Sequence, residues 1–92
     1  MVKRVILTER LDSAAAAPLH NELSGAEGED LVLDGSAVEF LGGLCLELLM
    51  CARQVWALAG KTLTVEAASE AFCDNLSRFG LQVSDLSTGG VG

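Results

Sequence analysis

The sequence predicts an α/β domain in which a mixed, mostly parallel sheet of about four strands is backed by helices, and three observations predict it. Apolar or β-branched runs at Val2–Leu7, Leu31–Leu33 and Thr62–Glu66 alternate with longer segments whose apolar residues recur at helical spacing. Stop signals divide them: Ser24–Gly25, Gly60 and Gly80 follow the helical segments, while Asp12–Ser13 and Ser69 offer cap oxygens before them. The order strand, helix, strand, helix, strand, helix suits parallel neighbours joined by right-handed crossovers.

Val2–Leu7 reads as the first strand, with Val5, Ile6 and Leu7 at its apolar end. Ala14–Ala17 favour a helix, but Pro18 fits best in a first turn, so the regular helix is expected from about Ala16 to Leu23. Glu27–Asp30 form an acidic turn, and Leu31–Asp34 a short buried strand. Gly42 and Gly43 let the backbone come close to a neighbour at the start of a long helix, Gly43–Ala59. Gly60 ends that helix, and Lys61 suits its negative C-terminal pole. The next strand is Thr62–Glu66. Ser69 caps a last helix, Glu70–Phe79, with Phe72, Leu76 and Phe79 on one face. Leu81–Val83 add a short strand or pack as a cap over the core. The domain is expected to span residues 1–83, and the Ser-, Thr- and Gly-rich segment 84–92 to be disordered.

Ninety-two residues make a single small domain. A net charge of -7 and a pI near 4.4 argue against nucleic acid or an anionic membrane as partner, since both select basic surfaces. Half of the residues are apolar, yet charges divide them before any run reaches bilayer length. The apolar stretch near the N-terminus is shorter than a secretory core and is broken by Glu9 and Arg10, so a soluble cytoplasmic protein is expected. Cys45, Cys51 and Cys73 form no CxxC and are read as reduced core or half-buried thiols, not as metal ligands or a nucleophile. His20 reads as a solvated helix residue. No phosphate loop, dinucleotide fingerprint, nucleophile–base set or carboxylate cluster is present, so neither an enzyme nor a bound cofactor or metal is expected.

On a helical wheel of about 3.6 residues per turn, Leu44, Leu48, Cys51, Ala52, Val55 and Ala59 share the flank expected to face the sheet. The other flank carries Leu46, Leu49, Met50 and Ala57 around Arg53. A helix facing only water does not need Leu46 and Met50 there, so a protein-docking patch is expected over Leu41, Gly42, Gly43, Leu46, Glu47, Met50 and Arg53. In that patch Leu46 and Met50 are the anchors, and Glu47 and Arg53 set the orientation. No Lys or Arg lies between Asp34 and Met50, which favours a protein over a nucleotide at this helix start.

The chain resembles the STAS domains, the fold of bacterial anti-sigma-factor antagonists. The resemblance rests on the apolar strand ending in Asp34, then Ser36, Val38 and Phe40, a small-residue turn with Gly43–Leu44, the long helix, Gly60–Lys61, and Ser69 with Phe72, Leu76 and Gly80–Leu81. It implies a non-enzymatic interaction module in which a Ser or Thr just before the Gly-Leu pair is phosphorylated by a partner kinase, ending the binding. Here that position is Gly42, which has no hydroxyl. Ser36 is the remaining candidate upstream, although a small polar residue there more often satisfies backbone groups of the turn. The LGG-x-CLE-x-L form is similar to short STAS proteins found beside chemotaxis histidine kinases. The resemblance therefore implies a signalling partner such as a histidine kinase or an anti-sigma kinase, with a homodimer as a further option. The alternative is an accessory STAS subunit of a phospholipid-transport ATPase complex.

Overall fold

The computed structural model describes residues 2–88. In chain order it contains β1 (Val2–Ile6), β2 (Arg10–Leu11), α1 (Ala16–Gly25), β3 (Asp30–Asp34), β4 (Phe40–Leu41), α2 (Gly43–Leu58), β5 (Leu63–Glu66) and α3 (Glu70–Arg78). β1, β3 and β5 form a three-stranded sheet in that order, and β2 pairs with β4 in a separate two-stranded ladder. Every pairing is parallel, with Lys3 opposite Leu31 and Leu31 opposite Leu63. The α/β class with a mostly parallel sheet is thus as expected, while the short β2–β4 ladder carried no signal of its own in sequence.

Because the sheet grows in one direction, the two crossovers bring α1 and α2 to the same face, where they pack against each other. Val5, Leu31, Leu33 and Leu63 of the strands are buried there with Leu19 and Leu23 of α1. Local chemistry sets the ends of the elements. Asp12 Oδ1 accepts the Ala14 N–H and opens a short 3-10 turn, Ser13–Ala15, from which α1 starts. Ser69 Oγ accepts the Phe72 N–H at the start of α3 while its hydroxyl donates to the Val38 carbonyl, tying α3 to the loop before β4.

The rotation of α2 differs from the expected one by roughly a quarter turn. Cys45, Leu46, Leu49, Ala52 and Trp56 face the core, whereas Leu44, Cys51, Val55 and Ala59 are exposed and Leu48 is half-buried. The cause lies in the composition of the helix. Apolar residues occur on all its sides, so periodicity identifies the helix but not its inward face. Trp56 decides the matter, because a buried indole needs a partner for its N–H, and Nε1 donates to the Glu29 carbonyl at 2.7 Å. Phe79, expected on the core face of α3, is also exposed.

The C-terminal segment differs as well. Leu81–Val83 form no strand; a 3-10 turn, Val83–Leu86, places Leu86 fully inside the core. Thr88 then donates its N–H to the Leu63 carbonyl at 2.8 Å, and its Oγ1 accepts the Leu63 N–H at 2.7 Å. Ser84–Thr88, expected to belong to a disordered tail, are therefore ordered against the domain, and Thr88 occupies the start of the outer edge of β5 at Leu63. A Ser-, Thr- and Gly-rich composition favours disorder, but a hydroxyl also satisfies a strand edge. Residues 89–92 of that expected tail lie outside the described residues.

Among the described residues no helix covers the second face of the sheet, which carries Arg4, Asp34 and Glu66 beside the exposed apolar Val2 and Ile6. Arg4 reaches Asp34 and Glu66, each at 3.0 Å, across all three strands. Asp34 Oδ1 also accepts the Ser36 hydroxyl at 2.7 Å and the Ser36 N–H at 2.9 Å. These two bonds from Ser36, and then Arg4, hold the Asp34 carboxyl down at about 2.

Three outcomes follow from this packing. Leu49→Ala should destabilise the domain by about 2 to 5 kcal/mol and Leu44→Ala by far less, as read by denaturant unfolding; the opposite order would restore the rotation expected from sequence. Gly35→Ala should destabilise by about 1 to 3 kcal/mol, because an added Cβ would sit 2.6 Å from Cδ2 of the buried Phe72 ring. Folding lowers the Asp34 pKa, so its contribution to stability is full above the ordinary value of 3.8 and disappears as pH falls toward about 2. In a carboxyl NMR titration, Ser36→Ala and Arg4→Met should each raise the Asp34 midpoint toward the ordinary value.

Candidate docking surface on the second helix

With its core flank fixed, α2 turns an apolar stripe to solvent. Leu44 is 49% exposed, Val55 43% and Leu58 87%, with Cys51 exposed between them and Met50 at one side. Glu47 and Gln54 are the polar members of this face. Two grooves flank the stripe. One, bounded by Gly43, Leu46, Glu47, Met50 and Cys51, has the exposed Phe79 on its far wall. The other runs toward α1, where Leu48, Val55 and Trp56 meet His20, Leu23 and Glu27. Isolated exposed apolar residues are ordinary, but a row of them along several turns of one helix is what interaction surfaces show.

The structure divides the docking residues expected from sequence. Gly43, Glu47 and Met50 are exposed on the stripe or at its rim, whereas Leu41 and Leu46 are buried and belong to the core. Arg53 is half-buried, and its Nε donates to the Ser87 carbonyl at 3.0 Å, so it anchors the C-terminal segment. Sequence reading missed Leu44, Cys51, Val55, Leu58 and Phe79. The first three lie on the flank expected to face the sheet. Leu58 and Phe79 could have been found only from their positions at helix ends, where apolar residues have little left to bury against.

The start of α2 is built by backbone. Gly42 is extended, its N–H donates to the Leu11 carbonyl at 2.9 Å, and its carbonyl accepts the Leu46 N–H at 3.1 Å. A Cβ at this position would lie 3.3 Å from Cε2 of Phe40 and 3.4 Å from the Leu11 oxygen. The Arg10 guanidinium in turn stands 5.4 Å from the centre of the Phe40 ring. Gly42 thus lets α2 begin directly beneath Phe40 and beside β2. Ser36 is exposed, with its hydroxyl and N–H both engaged by Asp34.

The cysteines separate by environment. Cys45 is buried, its thiol donates to the Asp12 carbonyl at 3.3 Å, and burial pushes its pKa up. Cys51 and Cys73 are exposed, contrary to the core or half-buried places expected for them: Cys51 lies on the flank of α2 that its rotation turns outward, and Cys73 lies off the Phe72–Leu76 face of α3. No helix among the described residues is long and apolar enough to cross a membrane.

No curated protein and no solved structure matches the chain significantly. One family model, described as "Mlab, STAS domain", matches residues 2–87. The parallel α/β sheet, the single layer of helices and a match that runs from β1 through the buried Leu86 agree on one conclusion: this chain belongs to the STAS family.

Proposed function

We propose that this protein is a non-enzymatic, cytoplasmic docking module of bacterial signal transduction that binds another protein through the outer face of α2. The observation that carries this reading is the apolar stripe Leu44, Cys51, Val55 and Leu58 on a helix whose opposite flank is already buried. Membership in a family of interaction modules supports it. Binding would place Leu44 and Val55 against apolar side chains of the partner, with Met50 and Phe79 at one margin and Glu47 orienting the approach. Because the chain carries a charge of -7, a partner with a basic rim fits best, and a histidine kinase or an anti-sigma kinase is the proposed class.

The docking is proposed to be constitutive with respect to phosphate on α2. From Phe40 to Met50 the chain has no hydroxyl residue, and the position of the usual acceptor is Gly42 under the Phe40 ring. The same absence favours a second reading: a permanent accessory subunit of a phospholipid-transport ATPase complex needs the docking face without the switch.

Leu44→Glu and Val55→Glu should each leave circular dichroism and the unfolding midpoint nearly unchanged. Each should weaken partner binding by at least tenfold, about 1.4 kcal/mol, because a charge would be buried at the contact. Leu46→Glu should fail to fold. Retention of the partner by both exposed-face variants would remove α2 as the docking surface. The identity of the protein co-purified with wild type but not with Leu44→Glu, a kinase or a transport ATPase, separates the two readings. After incubation with cell lysate and ATP, peptides covering Phe40–Met50 should carry no phosphate, while phosphate on Ser36 would reinstate a regulated switch.

A further inference from the structure

The two edges of the main sheet are finished differently. At β5, Thr88 occupies the outward N–H and carbonyl of Leu63. At β1, no strand among the described residues pairs with the outer edge. The Leu7 N–H donates inward to the Asp34 carbonyl, and backbone groups alternate along a strand, so those of Val2, Arg4 and Ile6 point away from β3. An open row of this kind is a template for another strand. Side chains at the same positions are unusually apolar for an uncovered sheet face, with Val2 63% and Ile6 62% exposed. On the helix side, Lys3 and Val5 border a groove shared with Asn21, Glu22 and Gly25 of α1.

We propose that β1 pairs antiparallel with β1 of a second copy of this chain, about a two-fold axis at Arg4, so that the two sheets become one. The segment Val2-Lys3-Arg4-Val5-Ile6 is self-complementary in this sense. A two-fold at Arg4 sets Val2 of each copy opposite Ile6 of the other, and it brings the outward backbone groups of Val2, Arg4 and Ile6 onto those of Ile6, Arg4 and Val2. The two Arg4 side chains meet at the axis, but each is already held at 3.0 Å by its own Asp34 and Glu66, so no uncompensated like-charge pair arises.

Charge selects this occupant. β1 carries Lys3 and Arg4 and no acid, in a chain whose net charge is -7, so two copies repel least when they meet through this edge. Lys3 falls opposite Val5 of the other copy, on the flank where Glu22 lines the groove, which adds an attraction of opposite charges across the pair. A foreign acidic strand would satisfy the lysine, but it would bring its charge against Asp34, Glu66 and Glu22. The paired segment is short, so association in the micromolar range is expected. This inference is independent of the role of α2, whose exposed face remains free in such a dimer.

Sedimentation velocity of the full chain over a range of concentrations should show a monomer–dimer equilibrium. Ile6→Pro removes an outward N–H and one apolar contact while leaving the inward bonds to β3, so it should give a monomer with unchanged circular dichroism. Should that variant fail to fold, cross-linking decides. In a Cys51→Ser, Cys73→Ser background, Val2→Cys mixed with Ile6→Cys should yield an interchain disulfide on mild oxidation, and Val2→Cys alone should not. A chain that stays monomeric at high micromolar concentration overturns the proposal. So does a dimer that survives Ile6→Pro, and so does one abolished by Leu44→Glu, which would place the second copy on α2.

Discussion

The burial of one flank of α2 against the parallel sheet is the constraint on which the rest of the molecule depends. Trp56 is the largest side chain on that helix, and it enters the core only where its indole N–H meets the Glu29 carbonyl just before β3. Once Trp56 is inside, Leu49, Ala52 and Cys45 follow on the same side, one helical turn after another. The consequence reaches function directly. On a helix this uniformly apolar, choosing an inner flank also chooses which apolar residues are left outside.

A sheet with helices on one side only imposes a second pattern. Leu31, Leu33 and Leu63 face the helices, while Arg4, Asp34 and Glu66 tie the three strands together on the open face through an exposed ion-pair cluster. Such exposed pairs contribute little to stability individually. Their geometry matters more, since it draws the Arg4 charge inward and leaves Val2 and Ile6 as the apolar members of β1 on that face. Asp34 has a further task, because Ser36 closes the turn after β3 upon it. The same serine that resembles a regulatory residue in sequence is therefore part of how the chain leaves the sheet.

The start of α2 is held by backbone and by one aromatic ring. Extended backbone at Gly42 and its bond to Leu11 connect the β2–β4 ladder to the helix, and Phe40 with Arg10 above it occupies the space next to the missing side chain. A fold of STAS type is retained there with a glycine, and so no side-chain hydroxyl, at the start of the helix.

The sequence by itself determined the main elements, through local chemistry. Ser69 before α3, Asp12 before the turn into α1, Gly60 after α2 and the β-branched runs placed the elements within a few residues, and their order implied the parallel sheet. Tertiary structure alone decided which way each surface looks. Leu46 and Leu44 are chemically alike and two positions apart, so nothing local tells the core residue from the exposed one; the indole bond of Trp56 does, and its acceptor lies far away in the chain. Thr88 likewise reads as tail until the unpaired edge of β5 is brought beside it. Periodicity specifies that a helix has faces, and only the contacts between distant segments specify which face is buried.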